Sequence, residues 1–354
     1  TSITDPNGRS TTFTTTDGLI GSITDAGGRT YDLGYTGRLL TEITGPTGYT
    51  WRYTYYGDGW MQSKTDPAGN TITYTYDGQN RLHQAIAPDG TREMNYVEPG
   101  TTTVTEMDGG VWTYNYDPLF AVKTRVVNPL GIITYYAYDL RRNLTSIKEP
   151  DNTTTRYRYD DRGNVVSVIV EFAWENVVSH TFYEYNSMNL VTTMTDSNGG
   201  VTTYGYDADG NLTSIAAPIG TTTFRYDAKG RLIAIKDPQG QQTGVETLFA
   251  YDAQTSDLLS ITDPLANSTG FTYDVMGNRL TTTDPLGHVT SYAYNPLNQI
   301  IQVTDPKGNV TRFTYDHADN VLSTTDAKGR PTQYGYNYRG QVTRITDALN
   351  QLTQ

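Results

Sequence analysis

The chain contains no cysteine among its 354 residues, which excludes a disulfide framework and thiolate metal sites. It also has no run of eighteen apolar residues, so we expect no membrane-spanning segment. Apolar residues make up 36% of the chain, and tyrosine supplies much of that fraction. Leucine, isoleucine, valine and phenylalanine are therefore too scarce for a thick core between two layers.

Positive charge is scarce as well. The chain has 26 Lys and Arg against 38 Asp and Glu, a formal net charge of −12. A protein that binds nucleic acid normally presents a basic face to the phosphates. We therefore expect no nucleic-acid partner.

Tyrosine, glycine and proline are abundant instead, with 29, 34 and 15 copies. One motif recurs as "YDADGNLTSI" from Tyr206, "YDVMGNRLTT" from Tyr273 and "YDHADNVLST" from Tyr315. Most successive copies are 20 or 21 residues apart, and about sixteen of them fill the sequence. A fixed period of this length indicates a repeat architecture.

We predict that residues 1–354 form one continuous array, irregular at 165–195 and 241–250. The first irregular stretch contains "VVSVIVEFAWENVVSH" and the second "QQTGVETLF", and we interpret both as longer hairpins. The first residues lack the basic and apolar pattern of a signal peptide. Because the sequence starts and stops within a motif, we expect a segment of a longer array.

Each repeat has the pattern of a β-hairpin. Tyr204 and Tyr206 are two residues apart and therefore share one face of a strand. Asp207 opens a turn, and Gly210 supplies the left-handed backbone that such a turn needs. A second turn, of the form Asp-Pro-x-Gly as in 284–287, leads to the next repeat. Short connections make antiparallel neighbours, so the array is predicted to be a meander of about 32 strands.

One spacing does not fit simple alternation. Leu212 and Ile215 are three residues apart, and in a regular strand they would lie on opposite faces. A β-bulge after the glycine turn would bring them to the same face. The same spacing recurs at Leu232 and Ile235.

The predicted fold class is therefore all-β. We favour a single-layer antiparallel sheet that winds as a hollow spiral, because the strands lack apolar residues on both faces. An eight-bladed β-propeller is the alternative, since two repeats give about 42 residues, the size of one blade. Odd and even repeats do not differ as the inner and outer strands of a blade would.

The motif Tyr-Asp-x-x-Gly-Asn/Arg-Leu, followed by Thr-Asp-Pro-x-Gly, resembles the YD repeat of Rhs proteins, of the B and C subunits of insecticidal Tc toxins, and of teneurins. The resemblance covers the whole chain. It implies a hollow β-cocoon that encloses a C-terminal toxin domain in Rhs and Tc proteins and serves extracellular adhesion in teneurins. The Rhs self-cleavage motif is not matched, because "DPLGH" at 284–288 has His where Leu is expected.

The stretch "YDAKGRLIAIKDPQG" at 226–240 offers two acids, Asp227 and Asp237, which a glycosidase could use as an acid and base pair. Nearly every repeat has both acids, so we interpret them as turn caps. Lys229, Arg231 and Lys236 are expected to be solvated or paired across strands.

The other candidate residues also have structural interpretations. The segment Asp207–Asn211 resembles the start of an EF-hand loop but lacks the later glutamate, so we expect no calcium. The histidines have no metalloprotease spacing; they are His83, His180, His288 and His317. Glycosylation sequons, which matter only in a eukaryotic secretory setting, occur at Asn143, Asn152, Asn211 and Asn267. We expect no catalytic residue, no metal site and no cofactor.

The sequence thus predicts a non-enzymatic structural shell of a bacterial Rhs-type toxin, secreted or at the cell surface. Its partners would be its own toxin domain or further repeats of the array. The alternative is an extracellular or cell-surface fibre or adhesin, in which copies self-associate into tubes or exposed tyrosine columns stack on surface glycans.

Overall fold

The computed structural model describes residues 1–5, 9–172, 176–337 and 339–353. These residues form 34 β-strands, all in one antiparallel sheet, and one short helix. Strands pair with their neighbours along the chain, as the two turns of each repeat require. The all-β hairpin meander is thereby confirmed. An eight-bladed propeller would divide the strands among separate four-stranded sheets, so that alternative is wrong.

The bounds of the strands follow the repeat. The first group is β1 (Ser2–Thr4), β2 (Ser10–Thr16), β3 (Leu19–Thr24), β4 (Thr30–Thr36), β5 (Leu39–Thr44), β6 (Thr50–Tyr55), β7 (Met61–Thr65), β8 (Thr71–Tyr76), β9 (Leu82–Ala87), β10 (Gly90–Glu98), β11 (Thr101–Thr105) and β12 (Val111–Tyr116). The second is β13 (Lys123–Val127), β14 (Ile133–Tyr138), β15 (Leu144–Lys148), β16 (Thr153–Tyr159), β17 (Val165–Phe172), β18 (Asn176–Tyr185), β19 (Val191–Thr195), β20 (Val201–Tyr206), β21 (Leu212–Ala217), β22 (Gly220–Tyr226) and β23 (Leu232–Lys236).

The helix α1 (Pro238–Thr243) comes next. The last group is β24 (Thr247–Tyr251), β25 (Leu258–Thr262), β26 (Ser268–Tyr273), β27 (Arg279–Thr283), β28 (Val289–Tyr294), β29 (Ile300–Thr304), β30 (Val310–Tyr315), β31 (Val321–Thr325), β32 (Pro331–Tyr336), β33 (Val342–Thr346) and β34 (Leu352–Thr353). In the described part of the chain, no helix is long and apolar enough to cross a bilayer.

A β-bulge in the hairpins that follow the tyrosines gives the sheet two chemically different faces. In the hairpin β20–β21, Tyr206 pairs with Leu212 and Tyr204 with Ile215, which leaves Thr213 as the extra residue. Both aliphatic side chains therefore share a face with both tyrosines, as the bulge hypothesis required. Many further hairpins shift register at the same place. We call this side of the sheet the tyrosine face.

The opposite side, which we call the hydroxyl face, carries mostly threonine and serine. Their hydroxyl groups bond across the strands, as between Thr54 and Ser63 at 2.7 Å and between Thr65 and Thr71 at 2.8 Å. Among the described residues, the buried side chains are few: three hydrophobic ones, at Val104, Val126 and Ala234, and one polar one, at Ser167. Because so little is buried, ladder hydrogen bonds and cross-strand contacts must supply much of the stability.

The two irregular stretches differ from each other. In 165–195 the strands β17 and β18 are unusually long and pair with each other, which confirms the longer hairpin; its segment 173–175 lies outside the described residues. At 241–250 the strands β23 and β24 also pair as a hairpin, but the helix α1 rather than longer strands supplies the extra length. The Asp237 carboxylate accepts from the Gly240 backbone N–H at 2.6 Å and caps this helix. Gly240 lies inside α1, where it cannot close a turn.

Two compact units can be distinguished along the chain. Unit 1 consists of Thr1–Gly90 and Phe249–Gln354, and unit 2 of Thr91–Leu248.

Within unit 1, turns of the first segment lie against turns of the second. The Tyr49 ring is 4.0 Å from the His317 ring, and Arg339 Nε is 3.2 Å from Asp89 Oδ2. The Met276 side chain occupies the space where a side chain on Gly27 would begin, so a larger residue at 27 would displace it. Repeats far apart in sequence therefore meet through their turns.

Candidate functional site: the repeated turns and the tyrosine staples

The turn after each tyrosine is a closed network around one aspartate. In the turn Asp207–Asn211, Asp207 Oδ1 accepts from the backbone N–H groups of Asp209 at 3.0 Å and Asn211 at 2.8 Å. Oδ2 accepts from the Asn211 side-chain amide at 2.9 Å. Gly210 has a φ of 87°, the left-handed conformation that the sequence pattern predicts.

Arginine takes the role of asparagine in other copies. Asp227 accepts from the Arg231 backbone N–H at 3.0 Å and from its guanidinium Nε at 2.6 Å. The second turn of the repeat has the same geometry, for example around Asp305 with Asn309 and around Asp326 with Arg330. The sequence motif contains Asn or Arg after the Gly, but the sequence alone gave no reason for this residue. The residue is the fourth after the aspartate and binds its second oxygen.

These bonds favour the ionised carboxylate. The Asn211 side-chain and backbone donors lower the pKa of Asp207, and the backbone bond from Arg231 contributes most to lowering the pKa of Asp227. Hydrogen bonds from the Arg330 side chain and backbone lower the pKa of Asp326 to about 2. A glycosidase acid needs a raised pKa instead. The aspartates are therefore arranged as turn anchors.

Asp227 and Asp237 are also too widely separated to act as a glycosidase acid and base pair. Asp227 lies in the turn before β23, whereas Asp237 comes directly after its last residue. At about 3.3 Å per residue, the five residues of this strand keep the two groups roughly 16 Å apart or more. Glycosidase pairs are at most about 9.5 Å apart. Asp227 bonds to Arg231 and Asp237 caps α1, so the structure does not bring them together.

Tyrosines connect successive repeats. The phenol of Tyr206 donates to the backbone carbonyl of Val191 at 2.8 Å, 15 residues earlier. The same bond, which we call a tyrosine staple, joins Tyr159 to Leu144 at 2.8 Å. Further staples start at Tyr35, Tyr55, Tyr76, Tyr185, Tyr294, Tyr315 and Tyr336.

Each staple runs to the adjacent, preceding strand, which belongs to the previous hairpin, as from β20 to β19. Its acceptor is the first residue of that strand or its neighbour, beside the bulge. Burial of the phenol raises the pKa of most staple tyrosines, including Tyr159, Tyr185 and Tyr206. The tyrosine columns thus hold the sheet together through their hydroxyl groups as well as through ring contacts.

The four histidines lie in four different hairpins. His288 Nδ1 is 2.9 Å from Asp284 Oδ2, so histidine replaces the asparagine or arginine of this turn. His317 packs on the Tyr49 ring of unit 1, and His83 lies in β9.

His180 makes a pairing that the sequence did not reveal. Its Nε2 is 3.0 Å from Ser167 Oγ, and its ring is 3.7 Å from that of Phe182. A serine bonded to a histidine is the start of a nucleophile and base pair. Ser167 is only 4% exposed, however, so a substrate could not reach it. The pair holds β17 against β18.

The other predicted sites fall on turns and strand ends. In the part of the chain that the structure describes, no three His, Asp or Glu side chains lie together in a way that could hold a metal ion. The Asp207 oxygens accept hydrogen bonds within their own turn instead. Three sequon asparagines, Asn143, Asn211 and Asn267, donate their side-chain amides to the turn aspartate at 2.9 Å. Asn152 has a φ of 66° in its own turn.

The basic residues of 226–240 are tied into these networks. Arg231 pairs with Asp227 inside one turn. Lys236 Nζ lies 3.2 Å from Glu246 Oε1, and Arg225 approaches the same carboxylate at 2.6 Å. Ion pairs thus occupy the side chains of Arg231 and Lys236.

The chain matches the family model described as RHS Repeat in nine segments, seven of which overlap in series, and together they cover more than half of its length. They are residues 55–92, 138–171, 185–222, 206–243, 226–256, 251–289, 278–310, 294–331 and 315–352. A comparison with curated protein sequences gives no significant match.

Solved structures with a similar fold are Tc toxin assemblies. The chain is similar to a crystal structure of TcdB2–TccC3–TEV, with a TM-score of 0.67, 13% identity, and coverage of 97% of this chain and 25% of the other. It is also similar to a structure of a mutant Photorhabdus luminescens Tc holotoxin pore, with a TM-score of 0.66, 14% identity, and coverage of 96% and 24%. The chain therefore spans about a quarter of the length of these proteins. At such identities the likeness shows the fold.

Proposed function

Because this chain belongs to the RHS-repeat family, we propose that it is a wall segment of a shell that encloses a toxin domain. The observation that carries this proposal is the continuous 34-stranded sheet, which shares its fold with TcdB2–TccC3 along 97% of the chain. A shell wall of a single sheet must be stable without a second layer packed against it. The turn anchors and tyrosine staples provide this stability without a thick core.

We further infer that the wall itself is not an enzyme. Its repeated carboxylates are held as ionised turn anchors, and Ser167, the serine that lies within hydrogen-bond distance of His180, is buried. The proposed role is to keep the enclosed domain apart from the producing cell during export. The protein would then be secreted or extracellular.

Protease protection tests the shell. The full-length natural protein that contains this chain is purified and digested, with and without prior unfolding in guanidinium. Protection of a non-repeat segment until the repeats unfold is the expected result. Equal cleavage of that segment in the native and unfolded protein would contradict encapsulation.

A fibre or adhesin is the second candidate, and contacts within unit 1 favour it specifically. Turns of one segment dock on turns of the other through Tyr49 with His317 and through Asp89 with Arg339. Further repeats or a second copy could dock in the same way. Negative-stain images of the full-length protein distinguish the two: closed particles support the shell, and open-ended tubes support the fibre.

A further inference from the structure

Unit 1 contains an interface in which the two kinds of turn meet. The first turn of a repeat follows the staple tyrosine, and the second turn leads to the next repeat. Second turns of the first segment, Thr1–Gly90, dock on first turns of the second segment, Phe249–Gln354. The contacts place Met276 against Gly27, His317 against Tyr49 and Arg339 against Asp89. The remaining turns of both segments lie at the opposite ends of the strands and take no part in these contacts.

Side-chain size differs between the two sides of this interface. The third residue of the docked second turns is small, as at Gly27, Thr47 and Ala68. The first turns on the other side carry larger side chains, at Met276, Leu297 and His317. At Gly27, Met276 fills the space that a side chain would need. Large residues of one turn thus pack against small residues of the other.

The second turns of the second segment, which we call the leucine edge, have the opposite character. Their third residues are Leu265, Leu286, Lys307, Lys328 and Leu349. Leu265 and Leu286 are 82% and 81% exposed. Their turns are two strands apart, which places the two side chains about 10 Å from each other along the edge. Because the docked turns have small residues at this position, the repeat itself does not require leucine there. Exposed leucines in a row therefore indicate a surface that packs against another molecule.

The first turns of the first segment, which we call the glycine edge, offer space instead. Each of the four turns contains glycine, at Gly18, Gly37, Gly57 and Gly78. A Cβ added at any of these positions would meet no atom within 4 Å. Exposed aromatic rings stand beside this space, because Tyr56 and Trp60 flank Gly57 in its turn. The glycine edge can therefore receive apolar side chains from another molecule.

We propose that this chain stacks head to tail on a second copy of itself, with the leucine edge of one copy on the glycine edge of the next. Large residues again meet small ones, with the roles of the two turns exchanged. Leu265 and Leu286 then leave water for the glycine turns and the ring of Trp60. The lysines of the leucine edge bring positive charge to a surface that carries the exposed carboxylate of Asp58. Because the two edges differ, the contact is heterologous, and each copy keeps one edge for a further copy.

This stacking rests on the fibre candidate, because it names the surfaces through which copies in a fibre would join. The two can fail separately. Open-ended tubes of the full-length protein, together with a chain that stays monomeric, would reject this interface and leave the fibre standing. Head-to-tail association of the chain, together with closed full-length particles, would support this interface and reject the fibre.

Sedimentation velocity of the chain at increasing concentration tests the stacking. We expect the average mass to rise with concentration, and a chain that stays monomeric at millimolar concentration would overturn the proposal. Combining Leu265→Glu with Leu286→Glu places two carboxylates in the contact and should weaken association about tenfold or more. Association that is undiminished in this variant would place the contact elsewhere and overturn the proposal.

The glycine edge is blocked in the same way by Gly57→Glu combined with Gly78→Glu. Both glycines lie outside the positive-φ region and have room for a side chain, so this variant should keep its fold. Its association should also be about tenfold weaker or more. Unchanged association would show that the glycine edge is not the partner surface.

A mixture of the two double variants distinguishes a head-to-tail contact from a symmetric one. Each variant alone has one intact edge but no intact partner for it. In the mixture, the glycine edge of the leucine variant meets the leucine edge of the glycine variant. A one-to-one dimer that grows no further is therefore expected. A mixture that stays monomeric would overturn the head-to-tail arrangement.

Leu130→Glu is the matched control for Leu286→Glu. Leu130 is the third residue of a second turn in unit 2 and is 83% exposed, so the substitution changes charge and apolar surface equally but leaves both edges of unit 1 intact. Association should be unchanged. Equal weakening by Leu130→Glu and Leu286→Glu would assign the effect to net charge and overturn the proposal. Thermal unfolding followed by circular dichroism checks that each variant is folded.

Discussion

The phenol oxygen of Tyr206 lies 2.8 Å from the backbone carbonyl oxygen of Val191, which belongs to the preceding hairpin. Tyr206 itself ends β20, and Val191 begins β19 beside the bulge. One hydroxyl group thus ties two repeats together next to the turns. Because the staple recurs along the array, it couples each hairpin to its predecessor, and repeat proteins owe their cooperativity to such nearest-neighbour contacts.

Removal of one staple hydroxyl should loosen this coupling. Tyr206→Phe leaves the Val191 carbonyl without its donor, and we expect a loss of about 0.5–1.5 kcal/mol in the free energy of unfolding. Urea unfolding followed by circular dichroism measures it. Tyr204→Phe is the control, since Tyr204 is on the same strand and face but makes no such staple. Equal effects of the two variants would show that the bond to the Val191 carbonyl does not cause the loss.

The fourth residue after the turn aspartate should tolerate exchange between asparagine and arginine, because both occur at this position. Asn211→Ala removes the side-chain amide that donates to Asp207, at a cost of about 0.5–1.5 kcal/mol in unfolding free energy. Asn211→Arg should restore most of it, because Arg231 binds Asp227 in the equivalent turn. Thermal denaturation compares the three proteins. A melting temperature for Asn211→Arg no higher than for Asn211→Ala would show that the two donors are not interchangeable.

Two glycines of one turn should respond in opposite ways to alanine. Gly59 has a φ of 90°, whereas Gly57 is outside the positive region, and neither position has an atom within 4 Å of an added Cβ. Gly59→Ala should therefore cost about 1–2 kcal/mol through backbone strain alone. Gly57→Ala should be neutral or stabilise by about 0.4–1 kcal/mol. Chemical denaturation of both variants decides whether backbone conformation governs this turn.

Acid should destabilise the array through its turns. Hydrogen bonds lower the pKa of many turn carboxyls below the ordinary 3.8, and that of Asp326 to about 2. Their stabilisation is present above the unfolded-state value and is lost as pH falls through the folded-state values. We expect the urea midpoint to be constant above about pH 5 and to decrease towards pH 2. A midpoint that stays constant over this range would contradict the role of the turn carboxylates.

Alkali should act on the staples. Burial raises the pKa of Tyr159, Tyr185 and Tyr206 above the ordinary 10.0. The neutral phenols stabilise the fold fully below the unfolded-state value, and this contribution is lost as pH rises through the folded-state values. The absorbance of tyrosinate during a pH titration should rise together with unfolding above about pH 10. Complete tyrosine ionisation in a sheet that remains folded would show that the staples do not need their protons.

Much of the fold could be predicted because its decisive interactions are local. The turn around Asp207 closes within five residues, and Gly210 and the register shift at Thr213 belong to the same hairpin. The helix α1 was missed because its Asp237-Pro238 start is the same pair that opens an ordinary turn. The residues after that pair, rather than the pair itself, decide between turn and helix.

The sequence by itself determined the repeat, the hairpins, the two turns and the two unlike faces, since each depends on residues that are near neighbours in the chain. The tertiary structure alone decided the contacts between repeats. The Tyr206 hydroxyl finds its acceptor on the adjacent strand β19, and Tyr49 meets His317 through the packing of unit 1. Residue spacing fixes the face of a strand on which each side chain lies. Strand pairing and packing, in contrast, bring together groups that are far apart in the sequence.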